Sequence, residues 1–205
     1  MWVVKLGGSL QHSRHLSTWL DTLARQFAGK VIVVAGGGEY ADAIRQQHHS
    51  GKLTDEKAHH LAIRATEKFA RDMYRYCSAL RLVEDIEELG HCLSAREIPV
   101  WLPSKVLGGI PAIPRSWDFT SDSIAAWLAL ELNADALFLV KSVALGSHER
   151  DLASLSKSGL IDYSMEQLVG IAALPIYWLE KEQAQEFSRL DTVPGSYPFP
   201  RLGLS

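Results

Sequence analysis

The chain has 205 residues, of which 47% are hydrophobic and 22% charged, and its formal net charge is −3. That balance predicts one soluble domain whose core needs no staples. It excludes the global basic field that nucleic acid or an anionic membrane would require. No apolar run is long enough to span a bilayer, and the N-terminus lacks the pattern of a signal peptide. Cys77 and Cys92 form no metal-ligand or redox motif and read as reduced thiols of a cytoplasmic protein.

The first element is a short apolar run, Val3-Val4-Lys5-Leu6, that empties into Gly7-Gly8-Ser9 and then a helical pattern. Adjacent glycines allow a sharp turn and leave their N–H groups uncovered. A strand, such a turn and a helix start together make a ready anion site. Lys5 sharpens that expectation, because a charge in a buried strand is costly without a partner. The alternative is an ordinary bend with the lysine snorkelling outward. Leu16, Trp19, Leu20, Leu23 and Phe27 recur at helical spacing and stop near Gly29. Val31-Ile32-Val33-Val34 is the β-branched run of a strand buried on both faces. It runs into Gly36-Gly37-Gly38 and a helix over 39–49. Strand, glycine turn and helix therefore occur twice. This alternation predicts a parallel sheet with right-handed crossovers and both glycine turns at its carboxyl edge.

Thr54 caps a helix that runs to about Leu80, as one piece or as a broken pair. Ala58, Ala62, Ala65 and Phe69 form its inner face, and Arg64, Lys68, Arg71 and Arg75 a solvated one. A strand over 80–83, a helix over 85–94 and a strand over 99–102 follow. Residues 103–119 are a Pro- and Gly-rich loop of a length more often functional than idle. Thr120 or Ser121 then caps a helix with Ile124, Trp127, Leu128 and Leu132 inward. A strand from Ala136 to Val140 ends in Lys141. Residues 144–160 read as irregular, with a helix over 165–169, a strand over 176–179 and a helix over 182–189 beyond. The tail from Val193 is turn-rich and closes with an edge strand. The expected fold is α/β, a three-layer αβα sandwich on a mostly parallel sheet.

The chain carries no P-loop, no G-x-G-x-x-G fingerprint, no zinc motif and no nucleophile elbow. What remains is two glycine turns, two lysines at strand positions and the segment 116–123. Four stretches then align in order: Val-Val-Lys-Leu-Gly-Gly-Ser at 3–9, Val-Ala-Gly-Gly-Gly at 34–38, Thr-Ser-Asp-Ser-Ile-Ala-Ala at 120–126 and Leu-Val-Lys-Ser-Val at 139–143. Together they resemble the amino acid kinase family. The likeness covers roughly residues 1–145. Two further stretches, 53–62 and 116–129, look most like the small kinases of that family that act on (5-(aminomethyl)furan-3-yl)methyl phosphate in methanofuran-type cofactor synthesis.

The resemblance implies a single domain, with an acceptor-binding half over about 1–119 and a nucleotide-binding half over about 120–205. It implies ATP with Mg²⁺, a small phosphomonoester as acceptor, a homo-oligomer, and neither nucleic acid nor membrane as partner. It puts Lys5, Gly7, Gly8, Ser9 and Ser142 on the nucleotide phosphates. Gly36, Gly37, Gly38, His59, Asp118 and Thr120 would serve the acceptor. Lys5, Asp122 and Lys141 would be catalytic, since phosphoryl transfer needs positioning and positive charge more than covalent chemistry. Asp122 would orient the lysines or hold Mg²⁺; no residue ligates a metal outright. Lys141 has a competing reading as a strand-end lysine in solvent, and His59 one as a packing histidine. Asp118 would meet an amino group on the acceptor or cap the next helix. Trp117 and Trp127 would line a ring pocket or belong to the core. His48, His49 and His60 read as solvated. The Gly-Met-x-x-Lys helix usual in the family's C-terminal third is absent, and Ala144-Leu145-Gly146-Ser147 lacks the acid common there. Leu160-Ile161-Asp162-Tyr163 remains as one nucleotide wall. The rival readings are the same kinase fold with another acceptor (a nucleoside monophosphate, an isoprenoid phosphate or a carboxylate) and a binding protein without turnover.

Overall fold

Alternation of strand and helix along the chain becomes a seven-stranded sheet with helices on both faces. The computed structural model describes residues 1–146, 150–170, 174–190 and 197–203. Strands β1 (Trp2–Leu6), β2 (Val31–Ala35), β3 (Leu80–Val83), β4 (Ile98–Trp101), β5 (Ala136–Lys141), β6 (Ile176–Glu180) and β7 (Arg201–Leu202) lie in the order β3-β4-β2-β1-β5-β6-β7. All pairings are parallel except β6 with β7. The helices are α1 (His15–Gln26), α2 (Gly38–His49), α3 (Asp55–Tyr76), α4 (Ile86–Ser94), α5 (Ser104–Leu107), α6 (Ser121–Glu131), α7 (Leu152–Lys157), α8 (Tyr163–Val169) and α9 (Ala184–Phe187).

The strand order fixes where a ligand can enter. From β1 the chain moves toward one edge of the sheet, and from β5 it moves toward the other. The connections after these neighbouring strands diverge and leave a crevice at their carboxyl ends. The period of two along β1 then decides what faces each layer. Trp2, Val4 and Leu6 join Trp19, Leu23 and Phe27 of α1 and Phe187 of α9 in one core cluster. Val3 joins Ile124, Ala125 and Leu128 of α6 in the other. Lys5 has the parity of Val3, so it points toward α6.

Helix α6 was expected to turn Ile124, Trp127, Leu128 and Leu132 inward, and it is buried almost all round, from Asp122 to Ala129. Helix α8 covers the side that would otherwise meet water. Helix α3 is one continuous piece, capped by the Thr54 hydroxyl, which accepts from Lys57 N at 3.3 Å. Its Ile63 packs with one cluster and its Phe69, Ala70 and Met73 with the other. Two expectations need correction. Residues 144–160 contain α7, started by Asp151, whose Oδ2 accepts from Ser154 N at 2.8 Å. Its pair of buried leucines, Leu152 and Leu155, is too short a pattern to read as a helix. The helix expected over 182–189 shrinks to the four residues of α9. In the tail, residues 193–196 lie outside the described residues, and β7 supplies the expected edge strand. Among the described residues no helix is long and apolar enough to cross a membrane.

Candidate active site

A buried carboxylate holds two ammonium groups at the crevice. Lys5, on β1, places Nζ 2.8 Å from Asp122 Oδ1, and Lys141, at the end of β5, places Nζ 2.6 Å from Asp122 Oδ2. The Lys141 contact has hydrogen-bond geometry, whereas Oδ1 meets Lys5 as an ion pair only. Lys141 also donates to Leu160 O at 2.8 Å. The solvated reading of Lys141 therefore fails, since its side chain is only 15% exposed. Burial pushes the Asp122 carboxyl up, but Lys141 and Lys5 outweigh it and hold the group at about 2. Burial pushes Lys141 down, and Asp122 only partly restores it. Asp122 sits in the first turn of α6, where the helix dipole favours a negative charge.

The two glycine turns pack backbone against backbone. A Cβ on Gly8 would lie 2.8 Å from Gly38 Cα, and one on Gly36 would lie 2.8 Å from Gly8 Cα. A Cβ on Gly7 would lie 2.7 Å from Val140 O. So the glycines serve close approach as well as open amides. They do not all present a free donor. Gly7 N donates to Val140 O at 2.9 Å and Gly36 N to Leu6 O at 2.8 Å, which corrects the expectation that both would grip phosphate through N–H. The amides of Gly8, Ser9, Gly37 and Gly38 carry no such bond among the described residues. Gln11, 6% exposed, fastens one turn to the other. Its Oε1 accepts from Glu39 N at 2.9 Å at the start of α2.

Between the turns opens a cleft of about 390 Å³, lined by Gly8, Ser9, Gly37 and Gly38 at one end and Ile63, Thr66, Trp117 and Phe119 further along. One face of α2 contributes Ala41, Asp42 and Arg45. Thr120 and Ser121 also line it. Thr120 Oγ1 donates to Asp162 Oδ2 at 2.7 Å. Asp162 belongs to the stretch expected to form one nucleotide wall. It accepts from Thr120 N at 3.0 Å, Ser123 N at 3.2 Å and Met165 N at 3.1 Å, and also from Ser123 Oγ. One carboxylate thus caps its own helix α8 and, across the fold, helix α6. Burial and the nearby Asp122 push the Asp162 carboxyl up.

Two expected site residues, His59 and Asp118, lie elsewhere. His59 is 3% exposed, is not among the cleft residues, and contacts Ser116 O through Nδ1 at 3.1 Å. Burial lowers it, so the ring is neutral and holds the loop before Trp117. Asp118 faces a second cavity, of about 410 Å³ and mostly apolar, bounded by Ile110, Trp127, Tyr163 and Leu168. Its carboxylate accepts from Ser116 Oγ at 3.0 Å, and its backbone carbonyl accepts from Ser164 N at 2.9 Å in the first turn of α8. Ser142 is exposed just past the end of β5. His48 is not simply solvated. Its Nε2 lies 2.6 Å from Asp55 Oδ1, and its Nδ1 accepts from Trp117 Nε1 at 3.2 Å. His60 is exposed, as expected. Trp127 stacks on the buried Trp101 with 5.8 Å between ring centroids, away from the cleft.

Comparison with known proteins agrees with this geometry. The chain is 26% identical over 144 residues to the [5-(aminomethyl)furan-3-yl]methyl phosphate kinase of Methanocaldococcus jannaschii, a match over 70% of this chain. It spans 66% of that relative's length. Among solved structures it is similar to a uridylate kinase from Archaeoglobus fulgidus, at 17% identity and a TM-score of 0.66 over 92% of this chain and 95% of that one. A UMP kinase from Bacillus anthracis gives 16% identity and a TM-score of 0.69 over 92% and 90%. An isopentenyl phosphate kinase gives 12% and 0.61 over 92% and 95%. These structural likenesses carry the fold. The model of the amino acid kinase family matches residues 1–144, which include both glycine turns, Asp122 and Lys141. The chain belongs to the amino acid kinase family.

Proposed function

We propose that the protein is a kinase that transfers a phosphoryl group from Mg-ATP to a small organic phosphomonoester, (5-(aminomethyl)furan-3-yl)methyl phosphate. The observation that carries this reading is the Lys5–Asp122–Lys141 cluster, in which Asp122 follows the cleft residue Ser121 and Lys5 leads into the Gly7-Gly8 turn, together with free amides on the two turns that line the cleft. Two ammonium groups and one carboxylate leave a net positive charge where a phosphoryl group would pass. A phosphate acceptor is already ionised at neutral pH, so no general base is needed. Asp122, held at about 2, is a poor base and serves to aim the two lysines. ATP, when bound, supplies the phosphoryl group, and its metal arrives with it. Both Asp122 oxygens face lysines, and no cluster of three His, Cys, Asp or Glu gathers among the described residues.

The Gly8 and Ser9 amides would hold the nucleotide's phosphates, and those of Gly37 and Gly38 the acceptor's. Gly7 and Gly36 keep the two turns in contact, and His59 acts through the loop at Ser116. Trp117 and Phe119 give the cleft aromatic walls that suit a ring-bearing acceptor. A cytoplasmic setting and homo-oligomeric assembly belong to the same reading.

The test is ADP release with Mg-ATP over a panel of phosphomonoesters that includes the aminomethyl-furan phosphate, UMP and isopentenyl phosphate. Turnover with the furan compound alone is expected. Turnover with another phosphate would keep the reaction and discard the acceptor. ATP binding without turnover on any of them would replace the kinase reading with a binding protein.

A further inference from the structure

We infer that Asp42 and Trp117 form a cation subsite in the cleft, and that it selects an acceptor with an ammonium group on a flat ring. The inference rests on the kinase reading above and deepens it.

The subsite is visible because the protein's own cation occupies it. Arg45 holds its guanidinium 4.8 Å from the centroid of the Trp117 ring, with Nη1 2.8 Å from Asp42 Oδ1. An aromatic face and a carboxylate together attract a positive group. Arg45 stands in for a substrate ammonium there. Its side chain is 48% exposed, and among the described residues only Asp42 and Trp117 hold it, so it can move to solvent when a ligand arrives.

Trp117 is fixed more firmly than the arginine over it. Trp117 Nε1 donates to His48 Nδ1 at 3.2 Å, and His48 Nε2 lies 2.6 Å from Asp55 Oδ1. His59 holds the adjacent Ser116 carbonyl, and Arg115 pairs with Glu56 of α3. Two helices therefore orient one indole over the cleft. Gly38 and Asp42 are four residues apart and share one face of α2. A phosphate on the Gly37–Gly38 amides would direct the rest of its molecule along that face toward Asp42 and Trp117. This geometry also explains why Asp118, the carboxylate the sequence suggested for an amino group, is unsuited to it: it opens on the other cavity.

The experiment uses the full chain and three matched compounds, 3-(aminomethyl)benzyl phosphate, benzyl phosphate and 3-carboxybenzyl phosphate. Binding is read from indole fluorescence without ATP, and KM is read from ADP release with it. The amine is expected to bind about three- to tenfold more tightly than the neutral compound, as an exposed ion pair and a cation–π contact together warrant. Asp42→Asn should bring that ratio close to one. Trp117→Leu should weaken binding of every aryl phosphate. Circular dichroism of each variant checks that it is folded, and Asp42→Glu should restore part of the preference. Preference for the carboxylate compound, or an unchanged ratio in Asp42→Asn, would overturn the subsite. Selective binding of the amine with no turnover would keep the subsite and discard the kinase reading. Turnover without selectivity would do the reverse.

Discussion

Replacing the buried ion cluster in two different ways separates its cost to stability from its use. Asp122 is 6% exposed and faces two lysines whose side chains are 5% and 15% exposed. Asp122→Asn leaves both ammonium groups buried without a counter-charge, a loss of about 3–5 kcal/mol by the usual cost of breaking a buried pair. The depressed carboxyl gives an independent figure. A fall from 3.8 to about 2 corresponds to roughly 2 kcal/mol of stability at neutral pH. That contribution is complete above 3.8 and is lost as the pH falls toward 2. The triple variant Lys5→Met/Asp122→Leu/Lys141→Met removes charge and desolvation together. It is expected to match or exceed the wild type, by up to about 4 kcal/mol, while losing all turnover. Urea unfolding at pH 7 and near pH 3, with ADP release alongside, reads both quantities. The wild type should weaken at the acid end more than the triple variant does. If the triple variant unfolds as easily as Asp122→Asn, the cluster is a structural tie, and its assignment to phosphoryl transfer loses its physical basis.

Three other substitutions test the supports of the site. Gly8→Ala drives a methyl group into the Gly38 backbone and should cost about 1–3 kcal/mol in urea unfolding, with acceptor KM raised. Gly90→Ala, in α4 with nothing within 4 Å of the new methyl, is the control and should stabilise by about 0.5–1 kcal/mol. Asp162→Asn weakens the cap on α6 that aligns Asp122, so kcat should fall while the fold survives. An unchanged kcat would confine Asp162 to capping.

The legible part of the fold was whatever local pattern could carry. The β-branched run at 31–34 and the apolar spacing from Leu16 to Phe27 reported their elements because burial acts on each residue separately. Lys5 was legible for the same reason: a charge in a buried strand demands a partner. Its partner, Asp122, was reachable only through family resemblance, since nothing in the spacing of residues 5 and 122 brings them together. The glycines were half legible. Their presence marked the turns, but only the three-dimensional approach of Gly8 to Gly36 and Gly38 shows which amides are already committed. His59 misled because a histidine's charge depends on its burial, which helical periodicity placed correctly and chemistry did not. Gln11 carried no signal, and Asp162 stood only within a stretch expected to form a nucleotide wall. Each is a single polar residue acting across the fold on backbone N–H groups that no sequence pattern identifies.

The most informative feature of the cluster is the direction in which Lys141 titrates. Burial pushes it down even with Asp122 in hydrogen-bond contact. Two ammonium groups crowded without a carboxylate would repel each other, and one would give up its proton. Removing Asp122 would then not leave a more positive site for phosphate; it would leave a less positive one. Asp122 is what favours the charged form of Lys141 before a ligand arrives. An incoming phosphate can take over that role, because it brings the negative charge that the lysines need. The carboxylate and the ligand thus act on the same two ammonium groups at different moments. On this account Asp122→Asn should bind nucleotide more weakly as the pH rises, with the loss beginning at a lower pH than in the wild type. Binding with the same pH dependence in both proteins would show that Lys141 holds its charge without help, and that Asp122 serves only to aim the lysines.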